Sequence, residues 1–161
     1  MSAKRIVAIV IAAACLSLMA WLVWPKKPLD DKALIEAAIA DACEQAGNKD
    51  VNGILEHVSD GYRGEGGDKR ELKAYLFGYL VRSGVVAAVP ARIDVQVTGE
   101  RAQVTLVVLL ARTPAKKAAE VGPDQLLGSH RIEAEFVKEA PKTWRAVSAT
   151  RRDATPQDLL P

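Results

Sequence analysis

From Ala91 to Arg112 the chain reads ARIDVQVTGERAQVTLVVLLAR. Ile93, Val95 and Val97 alternate with Arg92, Asp94, Gln96 and Thr98, the period-two pattern of a half-buried strand. Thr98-Gly99-Glu100-Arg101 supplies a turn, after which Ala102, Val104, Leu106, Val108 and Leu110 fall on one face. Gln103 and Thr105 begin the other face, but Val107 and Leu109 make it apolar at the far end. A strand apolar on both faces belongs inside a sheet with something packed on each side. The hairpin therefore demands a layered fold, and the rest of the chain has to supply the layers.

Helical periodicity supplies them before the hairpin. After a stiff stretch between Pro25 and Pro28, Asp30 and Asp31 provide the negative charge favoured at a helix start. Leu34, Ile35, Ala38, Ile39, Ala42, Cys43 and Ala46 then recur at helical spacing until Gly47-Asn48 stops the helix. A second short helix is expected over Val51–Val58, with Val51, Ile54, Leu55 and Val58 inward. Ser59-Asp60-Gly61 ends it, and Tyr62-Arg63 leads as a short strand into Gly64-Glu65-Gly66-Gly67. That loop lacks the lysine and Ser/Thr of a phosphate-binding P-loop. Asp68 and Glu71 instead have the spacing of a capping box for a third helix over Lys69–Ser83. Its wide stripe of Leu72, Tyr75, Leu76, Tyr79 and Leu80 faces inward. After the hairpin come a polar loop from Thr113 to Asp124 and two more strands. The first runs from about Leu126 to Glu139, with Ile132, Ala134 and Phe136 inward, and the second from Thr143 to Arg151, with Trp144 and Val147. The order is α+β: three helices packed on a curved, mostly antiparallel sheet of four to five strands.

The 161 residues allow one domain, and 49% of them are hydrophobic. A net charge of +2, with acids interspersed among the bases, gives no electrostatic reason to bind nucleic acid. Ile6–Trp24 contains no charged residue and as a helix would span roughly 28 Å, the thickness of a bilayer core. Trp21 and Trp24 suit the membrane interface, with Lys4 and Arg5 before the run and Lys26 and Lys27 after it. The expected organisation is a short cytoplasmic tail and anchor in residues 1–27, an exported domain in 28–153, and a disordered tail in 154–161. The chain is then a single-pass membrane protein with its C-terminal domain periplasmic or otherwise extracytoplasmic. Cleavage near Leu18-Met19-Ala20, or lipidation at Cys15 after Ala12-Ala13-Ala14, are the competing readings, and both also export the domain. Cys15 and Cys43 cannot make a disulfide framework, and Cys43 reads as a small core residue.

Phe136-Val137-Lys138, Trp144-Arg145-Ala146-Val147 and the upstream Leu55-Glu56-His57-Val58-Ser59-Asp60-Gly61-Tyr62, in this order of elements, resemble the NTF2-like (SnoaL-like, cystatin-like) superfamily. The resemblance covers about Asp30 to Arg152. It implies a cone in which a curved sheet wraps a long helix and leaves a pocket at the open end. With the preceding anchor, the architecture is also similar to the bitopic inner-membrane component of type IV secretion systems.

The resemblance places Asp60 where ketosteroid isomerase-like members hold a general base. The first helix lacks the tyrosine such enzymes carry, and Asp94, alternating with inward valines, points away from the core. Asp-Gly is moreover a common turn pair, which gives Asp60 a helix-ending or turn role. His57, Asp60, Tyr62, Tyr75, Tyr79 and Trp144 are the cavity candidates, tyrosine offering apolar area with one polar tip. Tyr75, Tyr79 and Trp144 also suit plain packing. Val107 and Leu109 are the candidates for an interface, with a second copy of the chain or with an envelope protein. His57 and His130 lie far apart without ligand-spaced partners, so no metal and no cofactor is expected. The leading expectation is a non-enzymatic envelope protein whose exported domain binds a partner or a small apolar ligand. The alternative is an isomerase, cyclase or dehydratase using Asp60 with tyrosine hydroxyls.

Overall fold

The computed structural model describes residues 30–159. Helix α1, Asp31–Gly47, is capped by Asp30, whose carboxylate accepts the Ala33 N–H at 2.8 Å. It buries Ile35, Ile39 and Cys43. Helix α2, Val51–Glu56, is capped by Asp50 and stops two residues before the expected Val58. The sheet takes the backbone there. Ala146 N–H donates to the His57 carbonyl and Ser59 N–H to the Ala146 carbonyl, both at 2.9 Å, so Val58 is bridged to the last strand.

The glycine-rich stretch folds into a miniature hairpin of β1, Arg63–Gly64, and β2, Gly67–Asp68. Gly66 and Gly67 both take positive φ, at 90° and 87°, which is why glycine is required there. Helix α3, Lys69–Arg82, begins with both halves of the capping box made. Asp68 accepts the Arg70 and Glu71 N–H groups, and Glu71 accepts the Asp68 N–H.

Strands β3 (Ala87–Thr98), β4 (Arg101–Ala111), β5 (Leu126–Ala140) and β6 (Thr143–Asp153) form one curved antiparallel sheet in that order. The opening hairpin is longer than its alternation suggests, because β3 starts at Ala87. Ladder pairing jumps from Pro90–Val108 to Arg92–Val107, leaving Ala91 as a bulge. The bulge restores phase: Ala88 before it and Ile93 and Val95 after it all pack on the same core. Pro90 is tolerated because β3 is an edge strand. That core joins Ile35, Ile39 and Val85 to Val104, Leu106, Val108, Phe136 and Trp144. Trp144 Nε1 and Lys138 Nζ both donate to Asp31, tying the start of α1 to β5 and β6.

Two expectations need correction. Val107 and Leu109, read as a free interface, are only 1% and 9% exposed. The chain fills this second face itself: Ala115 and Val121 of the polar loop pack on neighbouring Val89, Ala87 and Ala111. The C-terminal stretch is not loose either, since Pro156–Leu159 forms a 3-10 turn with Asp158 buried. Asp158 accepts from Arg131 and Arg152, at 2.9 and 2.8 Å, and from the Thr155 N–H and hydroxyl. Two arginines on one sheet face demand an anion, and the tail provides it. Arg131 is thus held by the tail as well as by Glu133.

The apolar run Ile6–Trp24, Cys15 and the boundary at residue 27 lie outside the described residues. Among the described residues, no helix is long and apolar enough to cross a membrane.

Candidate functional site: an apolar cavity with one polar end

Between α1, α3 and the sheet lies a cavity of about 450 Å³. Its shape follows from side-chain size. Helix α1 presents Ala38, Ala42 and Ala46 to it, with only Ile39 and Cys43 as larger neighbours. Alanines on that face leave volume that the opposite sheet cannot fill. The sheet contributes Val104, Leu106, Val108, Ile132, Ala134 and Phe136. Helix α3 closes the far side with Leu72, Leu76, Tyr79 and Leu80, of which Leu80 alone is buried. The stripe on α3 therefore packs partly on a second core cluster around Val51, Leu55 and Val58 and partly faces the open space. Cys43 is a free thiol on this wall, and burial pushes its pKa up to about 11, so it is inert at neutral pH.

A bulge in β6 sets the cavity's chemistry. Pairing skips from Glu135–Ser148 to Phe136–Ala146, so Val147 is the extra residue. Beyond it Ala149 pairs with Ala134 and Arg151 with Ile132, which puts Arg151 on the concave face among apolar residues. Its guanidinium lies over the rings of Tyr75 and Tyr79, 5.4 and 5.7 Å from their centroids. The two rings stack on each other with centroids 6.0 Å apart. The Tyr79 hydroxyl is 3.4 Å from His130 Nε2, and burial raises the Tyr79 pKa. His130 Nδ1 lies 3.1 Å from Asp153 Oδ1 but out of line, so it is left without a hydrogen bond.

Of the six candidates, His57, Tyr62, Tyr75 and Tyr79 line the cavity. Tyr62 is almost wholly enclosed, its hydroxyl donates to the Glu65 carbonyl at 3.2 Å, and burial raises its pKa. His57 Nε2 is 2.6 Å from Asp41 Oδ2, and that bond is the main reason the Asp41 carboxyl is held below its usual range.

Asp60 and Trp144 are elsewhere. The Asp60 side chain is 96% exposed and paired with Lys69 at 2.8 Å, which lowers its pKa. It belongs to a shallow surface hollow with Lys69, Lys73 and Arg145. The alternative built on Asp60 with tyrosine hydroxyls fails on this geometry. Trp144 is buried in the core beside Asp31 and does not line the cavity. Sequence reasoning missed Asp41, His130 and Arg151. Arg151 was hidden by the bulge, because unbroken alternation from Trp144 turns it outward. Among the described residues no three His, Cys, Asp or Glu side chains are grouped to hold a metal ion.

No protein-family model matches the chain, and no curated protein matches it by sequence. Solved structures do. A cystatin-like protein of unknown function from Nostoc punctiforme superposes with a TM-score of 0.62 at 17% identity, over 81% of this chain and 96% of that one. The fold is NTF2-like. A second NTF2-like protein with a cystatin-like fold, from Novosphingobium aromaticivorans, gives a TM-score of 0.59 at 18% identity, over 90% of this chain and 89% of its own. Another from the same organism, provisionally named a scytalone dehydratase, gives 0.58 at 14% identity, over 76% and 83%. At such identities the shared property is the fold, and this NTF2-like cone is judged by its own cavity.

Proposed function

We propose that this NTF2-like domain is a ligand-binding module, held at the outer side of a membrane by residues 6–24, that takes a small, mostly apolar molecule. The observation that carries the reading is the cavity wall: alanines on α1 opposite aliphatic residues on the sheet, with a volume in the range of small-molecule sites. The partner reading has less support, because Val107 and Leu109 are covered by the chain itself. The anchor reading rests on the uncharged run Ile6–Trp24 and its tryptophan and lysine flanks. Native mass spectrometry of the full-length protein, released from its own membranes, tests the binding reading. A stoichiometric organic adduct, absent in the cavity-filling variant Ala42→Phe, is expected. Equal adducts on both proteins would place the molecule outside the cavity.

A second reading, acid–base catalysis of the dehydratase or isomerase kind, is favoured by one observation. His57 stands on the cavity wall with Asp41 2.6 Å from its ring, a pairing suited to proton transfer. The provisional name of one structural neighbour points the same way. His57→Gln separates the two readings. As a binder, the variant holds its ligand like the wild type; as an enzyme, it holds the ligand but leaves it unconverted.

A further inference from the structure

Most polar groups of the cavity are gathered at one end. His130, Thr150 and Arg151 come from the outer ends of β5 and β6, and Tyr75 and Tyr79 from the facing side of α3. Glu65 also stands at this end, and the remaining wall, from Phe136 to the alanines of α1, is aliphatic or aromatic apart from His57 and the Cys43 thiol. Arg151 is the cation of this end, and no carboxylate pairs with its guanidinium among the described residues. Its visible contacts are the two tyrosine rings, which hold it over the rim. Of the nearby acids, Glu65 accepts the Arg151 backbone N–H, and Asp153 is exposed to solvent beside His130. The Tyr79 hydroxyl has one long contact, to His130 at 3.4 Å, and retains the capacity to donate. A planar guanidinium beside a hydroxyl, at the mouth of an apolar chamber, matches a carboxylate on an apolar body.

We propose that the molecule taken by the cavity is an amphipathic monocarboxylic acid, its carboxylate between Arg151 and the Tyr79 hydroxyl and its apolar part along α1 and the sheet. This rests on the ligand-binding reading and adds the head group to it. The test compares decanoate, decan-1-ol and decylamine in calorimetric titrations of the full-length chain, each against a protein-free blank in the same medium. Decanoate is expected to bind at least tenfold tighter than the alcohol, with the amine weakest. Arg151→Gln should erase the preference for decanoate without changing alcohol affinity, and Arg151→Lys should keep part of it. Equal binding of acid and alcohol, or an unchanged preference in Arg151→Gln, overturns the head-group assignment while the cavity reading stands. If none of the three binds, both fall.

Discussion

Trp144 Nε1 donates to Asp31 Oδ1 at 3.0 Å, and Lys138 Nζ reaches the same oxygen at 2.8 Å. The first residue of α1 is thereby clamped to the closing pair of strands. The Lys138 hydrogen bond, and then that of Trp144, hold the Asp31 carboxyl below its ordinary value. A depressed folded pKa contributes stability that is fully present above the unfolded value, about pH 4, and is lost as pH falls through the folded value. Asp31→Asn keeps an acceptor for the indole and removes the charge. Denaturant midpoints should therefore show wild type ahead of Asp31→Asn at pH 6, with the gap closing below about pH 4. A gap that does not shrink at all as the pH is taken below about 4 would contradict the charge pairing.

The cavity makes two leucine-class positions behave differently. Ile35 has no exposed surface and is enclosed in the main core, so Ile35→Ala should cost about 2–5 kcal/mol. Leu76 touches the cavity on one side, so Leu76→Ala opens no new void and should cost at most about 1.5 kcal/mol. Equal losses in chemical denaturation would mean that α3 is packed as tightly as α1.

Much of this arrangement was legible from the chain. The hairpin alternation, the Asp68–Glu71 capping box and the spacing of α1 each report a local rule that the structure obeys. The bulges at Ala91 and Val147 were not legible, because a bulge is decided by which neighbours a strand must satisfy on both sides. Ala91 and Val147 each shift the pattern by one residue, and the second shift moves Arg151 into the cavity mouth. Asp60 misled for a related reason: fold-level likeness gave it a role, but its turn points it into solvent beside Lys69. The cavity itself was written in Ala38, Ala42 and Ala46, which read equally well as close helix–sheet packing.

The C-terminal turn should be part of the cooperative unit. Asp158→Ala leaves Arg131 and Arg152 facing each other across the sheet surface without their anion. Amide exchange at residues 154–159 should rise towards that of an unstructured chain, and the thermal midpoint should drop by several degrees. Unchanged protection of the Ala154 amide, which donates to the Ser129 carbonyl, would show that the turn holds without Asp158.

Asp60→Asn should leave ligand affinity and ligand conversion at the wild-type level, since the side chain is exposed and outside the cavity. The loss is confined to a solvent-screened surface ion pair with Lys69. A tenfold loss of binding or turnover in this variant would return Asp60 to the site.

The most direct measurement is a fluorescence titration of the full-length protein with the uncharged probe N-phenyl-1-naphthylamine, repeated on Ala42→Phe. Ala42 faces the cavity from α1, and a phenyl group there occupies the space a ligand would take. The account predicts saturable one-to-one binding by the wild type and at least tenfold weaker binding by the variant, with the variant's thermal midpoint no lower. Saturable binding of equal strength by both proteins, or no saturable binding by the wild type, would contradict it.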